Sequence, residues 1–202
     1  MSVPRALSPS QVEDFRERLC AAAERLFAEH GPEAVTMRQL AAALGVSPMT
    51  PYRYFKDKDD ILAAVRASGF SRFADAMEAA FQSETDPIAV SEAVGRAYVR
   101  FALEQSDAYR LMFDLSQPNE ADYPELVEAS ARAREMMVAQ ARGLVASGQA
   151  KGDPEIIAHI LWASLHGGLV LQLAGKLSPK VDPSALRRAA FQTLLKGLAR
   201  DD

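Results

Sequence analysis

The chain has 202 residues, 49% of them hydrophobic and 25% charged, and a net charge of −4, so it can bury a sizeable core but carries no global positive charge for a polyanion. Its single cysteine, Cys20, excludes an internal disulfide and points to a reducing compartment, with a buried small hydrophobe as its expected part. The opening residues do not read as a charged leader and no run of about 18 uninterrupted apolar residues occurs, so a cytoplasmic protein with no membrane partner is expected.

Apolar residues recur every three or four positions, with Ala and Leu dominant, which predicts an all-α fold. The first helix opens at Ser8 or Ser10, keeps Val12, Phe15, Leu19, Ala22, Ala23, Leu26 and Phe27 on one face, and ends at Gly31-Pro32. Thr36 caps a short second helix that turns Leu40, Ala41 and Leu44 inward. Ala41 and Ala42 are small enough for a close helix crossing, and Gly45 supplies the positive φ of a tight turn. A very short third helix ends by Lys56. Asp57, with Asp60 three residues on, caps a long fourth helix through Ile61, Leu62, Val65, Phe70, Phe73 and Met77. Asp86-Pro87 opens the fifth, carrying Val90, Val94, Tyr98 and Phe101. A short sixth follows Asp107, with Tyr109, Leu111, Met112, Phe113 and Leu115. The seventh runs from about Glu125 to Gly148, the eighth starts at Gly152-Asp153-Pro154, and the ninth carries Leu186, Ala190, Leu194, Leu195 and Leu198. The predicted organisation is an N-terminal helical domain over residues 8–57, a connecting helix over 58–83, and a C-terminal helical domain over 84–202.

Positive charge is local. Residues 38–58 hold Arg38, Arg53, Lys56 and Lys58 against Asp57, a net of +3, whereas residues 84–202 hold 13 basic and 16 acidic residues. Two short helices joined by a glycine turn, braced by a longer helix before them, form a helix-turn-helix, whose second helix enters the DNA major groove. Val46 plugs the core between them. With Ser47 as N-cap, Pro48 takes the first helical position and loses nothing there, while Pro51 forfeits the first intrahelical bond; alternatively Thr50 caps and Pro51 starts a shorter helix. Tyr52, Arg53, Tyr54 and Phe55 are consecutive and cannot share one face, so Phe55 is expected in the core and at least one tyrosine on the DNA. Arg38, Tyr54 and Lys58 are the expected phosphate contacts. Thr50 and Tyr52, with Met49, are expected at base edges or thymine methyls, and Thr36, Gln39, Ser47, Pro48 and Arg53 complete the DNA-facing set.

Residues 21–65, "AAERLFAEHGPEAVTMRQLAAALGVSPMTPYRYFKDKDDILAAV", resemble the DNA-binding domain of the TetR-like repressors at Leu26-Phe27, Gly31, Thr36, Leu40-Ala41, Gly45-Val46-Ser47, Tyr52, Tyr54-Phe55, Lys58 and Leu62. Met49 stands where that family often has glycine or another small residue, and Pro51 where it often has an aliphatic one. The resemblance implies a nine- or ten-helix homodimer with a DNA-reading head and a larger ligand-sensing domain whose last two helices pair with their copies.

In the C-terminal half, "LWASLHGGLVLQLAG" resembles the Trp-x-x-x-His-Gly pattern of one TetR-like subgroup through Trp162, His166 and Gly167. Glycine inside a helix costs roughly 1 kcal/mol relative to alanine, so Gly167 and Gly168 are expected where a partner helix approaches. With Leu186, Leu194, Leu195 and Leu198 they form the expected dimer interface. His159 and His166 share a face with Glu155, but the Glu-x-x-His pairs of a di-iron bundle are missing, so neither a metal nor another cofactor is expected. Met112, Phe113, Met136 and Met137, together with Phe73, Met77, Tyr98, Phe101, Trp162 and His166, are the candidates to line a cavity for a small apolar or aromatic ligand. The expected function is a one-component transcriptional regulator, a repressor that binds a palindromic double-stranded operator as a homodimer and is released by that ligand. Two other readings compete: a metal- or His-dependent helical-bundle enzyme, for which no nucleophile–base motif or phosphate-cradling glycine loop is found, and an architectural DNA-binding protein without a ligand.

Overall fold

Six of the eight described helices start where a side chain accepts the backbone N–H groups that a first turn leaves without acceptors. Ser8 and Gln11 exchange side-chain and backbone bonds across the first turn of one helix, and Thr36 and Gln39 do the same at the next. Asp57, Asp86, Asp153 and Asp182 accept in the same way from Asp60, Ala89, Glu155 and Ser184. In the computed structural model, which describes residues 8–114 and 119–199, the helices are α1 (Pro9–His30), α2 (Met37–Ala43), α3 (Lys58–Gln82), α4 (Pro87–Glu104), α5 (Ser106–Phe113), α6 (Pro124–Ala146), α7 (Pro154–Leu173) and α8 (Pro183–Leu198). The fold is all-α. Leu115, expected at the end of the sixth predicted helix, lies outside the described residues.

The third predicted helix is realised as a tight turn followed by a 3-10 turn, Pro51–Arg53. Pro51 has no N–H to give to the Ser47 carbonyl, and that carbonyl instead accepts from Thr50 at 2.8 Å. Arg53 then bonds Thr50 and Tyr54 bonds Pro51 across three residues. Thr50 is in the helical region and makes no side-chain cap, so of the two readings of the prolines the later start holds without the Thr50 cap.

The chain forms two compact units, and the division falls inside α3, after Phe70. The first comprises the described residues up to Phe70 together with Gln105–Ser130. Phe15, Leu19, Phe27, Leu40, Phe55, Ile61 and Leu62 make its core, and Leu111 of α5 joins them. The buried Ala108, Leu111 and Met112 of α5 lie in this unit, against α1. A short amphipathic helix takes whichever apolar surface its connections let it reach, which sequence spacing does not specify. Ala41 is buried as expected, whereas Ala42 is exposed. Cys20 is half-buried, and burial pushes its thiol up to about 11.

Among the described residues of this unit, Arg66 of α3 is the buried charge, its side chain 9% exposed. Nη2 donates to the Met112 carbonyl at 3.4 Å and lies 3.6 Å from Glu120, which in turn accepts from the Ser130 hydroxyl, while Nε has no hydrogen-bond partner among the described residues. Desolvation lowers the guanidinium pKa, opposed by Glu120 and Asp114. Glu120→Ala is expected to lower stability by about 1–3 kcal/mol, because it strands a desolvated cation. Arg66→Met should stay within about 1 kcal/mol of the wild type, since Glu120 can turn to water. Urea unfolding of both variants separates these outcomes; an unaffected Glu120→Ala would remove the counter-charge role.

The second unit comprises Ser71–Glu104 and the described residues from Ala131 onward. Leu144, Ile157 and Leu161 lie in its core, with Phe191, Leu194, Leu195 and Leu198 of α8 packed partly buried against them. The Lys151 N–H donates to the Leu198 carbonyl at 2.8 Å, and Arg187 Nη1 of α8 donates to Gln172 Oε1 of α7 at 2.6 Å. Arg132 of α6 bridges Asp75 and Glu78 of α3.

Candidate nucleic-acid interface

The reading segment is held from three sides. Gly45, at φ 66°, turns the chain out of α2, and Val46 packs against the core. Pro51 and Phe55 are buried beneath. From α1, Arg16 stacks its guanidinium 4.3 Å over the Phe55 ring and donates to the Tyr54 carbonyl at 2.9 Å. Phe15 stacks on Tyr54 with ring centroids 4.2 Å apart. Lys58, at the start of α3, donates to the Pro32 carbonyl at 2.7 Å.

The exposed side chains of this segment are Arg38 and Gln39 on α2, then Ser47, Pro48 and Met49, then Tyr52, Arg53 and Lys56. Met49 is 68% exposed and Tyr52 49%. Thr36 is exposed too, and it is joined to Gln39 by the capping bonds, with the Gln39 Oε1 taken by the Thr36 N–H at 2.8 Å. Thr50 and Lys58 are half-buried, and Tyr54 is half-buried with its ring on Phe15. The arrangement offers cations for phosphates at its edges and an apolar and phenolic tip between them.

The sensing candidates fall in both units. Phe73, Tyr98 and Phe101 form one edge-to-face cluster, with Phe73 4.9 Å from Tyr98 and 5.1 Å from Phe101. Trp162 Nε1 donates to the Tyr98 hydroxyl at 2.9 Å, and that hydroxyl lies 3.2 Å from His166 Nδ1. Met77 and Met137 are buried and Met136 half-buried in the same unit. Met112 and Phe113 belong to the first unit, where Phe113 meets Phe70 and Tyr109 edge-on and Met112 Sδ lies 3.0 Å from where a Cβ on Gly69 would sit. Among the described residues, no group of three or more His, Cys, Asp or Glu side chains converges to hold a metal.

Burial lowers the His166 pKa. The unfolded chain therefore binds the proton more readily, and stability is full above the ordinary histidine value of about 6.5 and is lost as pH falls through it toward the folded value. His166→Gln is expected to make stability less sensitive to pH between about 7 and 5. Urea midpoints of the two proteins across that range check it; equal slopes would mean that His166 is protonated without penalty.

For the expected dimer face, Gly167 and Gly168 are half-buried, and a Cβ at either would meet nothing within 4 Å. Leu194, Leu195 and Leu198 turn toward their own unit's core, and Leu186 is half-buried on α8. Sequence reading did not single out the exposed apolar row on α7: Ile156 at 59%, Ile160 at 36%, then Val170 and Leu171. Ile156, Ile160, Ala163, Gly167 and Val170 follow a four–three–four–three spacing, a signal that the sequence did contain. By length and composition α7 is apolar enough to span a membrane, but its buried Ile157, Ala158, Leu161 and Leu169 pack within this unit.

Residues 19–65 match the family described as bacterial regulatory proteins of the tetR family, and residues 91–196 match the tetracyclin repressor-like C-terminal domain. The chain is 30% identical over 167 residues to the HTH-type transcriptional regulator BetI of Rhizobium meliloti (strain 1021), covering 81% of this chain and 80% of that protein. It is 28% identical over 141 residues to the regulator HbdR of Aromatoleum sp. (strain CIB), covering 69% of this chain and 62% of HbdR's length. Among solved structures, a protein of unknown function from Rhodococcus sp. RHA1 superposes with a TM-score of 0.81 at 30% identity, over 98% of this chain and all of the other. The fatty acid degradation regulator FadR of Bacillus halodurans shares the fold, with a TM-score of 0.76 at 19% identity over 98% of this chain and all of that one.

Proposed function

Because the chain belongs to the TetR family of transcription regulators, whose DNA-binding part it carries at residues 19–65, we propose that it is a cytoplasmic one-component repressor, a homodimer on a palindromic operator that a small apolar or aromatic molecule releases. The observation that carries this reading is the exposed, cation-edged tip of residues 38–56, held rigidly on a core that includes Phe55. The apolar row on α7 supports the dimer: a second copy crossing at Gly167 would cover Ile156, Ile160, Val170 and Leu171. The aromatic cluster around Tyr98, with Trp162 and His166 half-buried at its edge, supports an uncharged ligand.

Two-fold symmetry of the dimer requires half-sites about one helical turn apart, roughly 34–36 Å, or a multiple of it. Selection of binding sequences from a random duplex library by the full-length protein tests this. An enriched palindrome with that spacing is expected; enrichment of a single half-site would remove the dimeric repressor, and no enrichment at all would remove sequence-specific binding.

A further inference from the structure

We propose that Met49 reads the C5 methyl group of a pyrimidine in the major groove, so that operator affinity depends on that methyl whether thymine or 5-methylcytosine carries it. The inference rests on residues 36–58 being the DNA interface and names what the interface recognises. Met49 is the most exposed large hydrophobic residue among those described, at 68%. It lies between Pro48 and Pro51 on a segment where the N–H groups of Met49, Thr50, Arg53, Tyr54 and Phe55 are already committed. Its own N–H meets Ser47 Oγ at 3.5 Å, the Thr50 N–H meets the Ser47 carbonyl at 2.8 Å, and those of Arg53, Tyr54 and Phe55 bond back to Thr50 and Pro51. The two prolines have no N–H. At Met49 itself the segment therefore offers the groove a thioether chain rather than a backbone hydrogen-bond donor.

The surroundings select the partner. Arg38, Arg53 and Lys56 are exposed on the same stretch and complement phosphates, which places the tip against base edges. In the major groove the distinctive apolar group on a base edge is the pyrimidine C5 methyl. The Met side chain is unbranched and polarisable, so it can close over a methyl without a fixed rotamer. Met49 contributes nothing to the core, which leaves its apolar surface without a folding role.

The experiment begins with the sequence enriched from the random library and exchanges single thymines of a half-site for deoxyuridine, which removes only the methyl. One position is expected to lose about three- to fivefold in affinity, and about tenfold or more when both symmetric positions are changed. At that position 5-methylcytosine should bind about three- to fivefold more tightly than cytosine. In Met49→Ala both methyl effects should vanish, while Met49→Leu should keep them. Circular dichroism melts confirm that the variants fold. Equal affinity for thymine and uracil at every position, or a methyl effect that survives unchanged in Met49→Ala, would overturn the assignment while leaving DNA binding intact. A library that enriches nothing would overturn both.

Discussion

Ile160→Asp is expected to leave the protein monomeric at micromolar concentration and to cut operator affinity at least 100-fold. Ile160 lies in the middle of the exposed row on α7, one turn from Ile156 and seven residues before Gly167. A two-fold interface through this row meets the substitution twice, so two carboxylates would be drawn out of water with no partner on the apolar face. The effective penalty for each such ion is several kcal/mol, enough to cancel an interface of ordinary size. Monomers would then engage half-sites singly and lose the gain from binding both at once. Because Ile160 is exposed, its own helix should not suffer, and the helical circular dichroism should match the wild type. Sedimentation velocity and operator titration read the two effects. A variant that stays dimeric would take the α7 row out of the interface, and one that dissociates yet binds DNA as before would separate dimerisation from operator recognition.

Phe55→Ala is expected to destabilise the first unit by about 3–5 kcal/mol, a large part of the roughly 5–15 kcal/mol that holds a domain together. Phe55 is 2% exposed, and the Arg16 guanidinium lies over its ring. Truncation opens a cavity beneath the reading segment and leaves Arg16 without its aromatic face. Tyr52→Ala, three residues earlier on the exposed side, should change stability by no more than about 0.5 kcal/mol while weakening DNA binding. Urea unfolding and DNA titration of the two variants form the comparison: one loses fold and binding together, the other binding alone. Comparable stabilities would mean that Phe55 is not what supports the tip.

The spacing of the local signals carried most of the helix boundaries. Ser8, Thr36, Asp57, Asp86 and Asp153 cap as their side chains allow, and Gly31 and Gly45 take the positive φ that ends α1 and α2. Phe55 could be placed in the core because four consecutive large residues cannot share one face. These readings depend on a few neighbouring residues, and the forces involved act over one or two turns. The Thr36 cap was legible for the same reason, while the Gln39 half of the box was not read and gives Gln39 a structural bond beside any role on DNA.

Properties that depend on which distant surface an apolar face meets were not legible. Sequence spacing showed that α5 has a buried face but not that this face joins α1, with Leu111 in the core of the first unit. For the leucines of α8, burial against one's own α6 and α7 and burial against a second copy leave the same pattern in sequence; Leu194, Leu195 and Leu198 are partly buried against their own unit. Arg66 gave no sign in sequence of being nearly buried, since its neighbours along α3 are those of any amphipathic helix. By itself, then, the sequence determined the helical class, the caps, the glycine turn and the proline-stiffened reading segment, all consequences of local backbone chemistry. Only the tertiary structure decided that Met49 and Tyr52 stand out while Tyr54 lies on Phe15, that α5 packs with the DNA-reading helices, and that the free apolar row runs along α7. Burial is a property of packing partners far apart in the chain, and hydrophobic attraction carries no direction by which a sequence could name them.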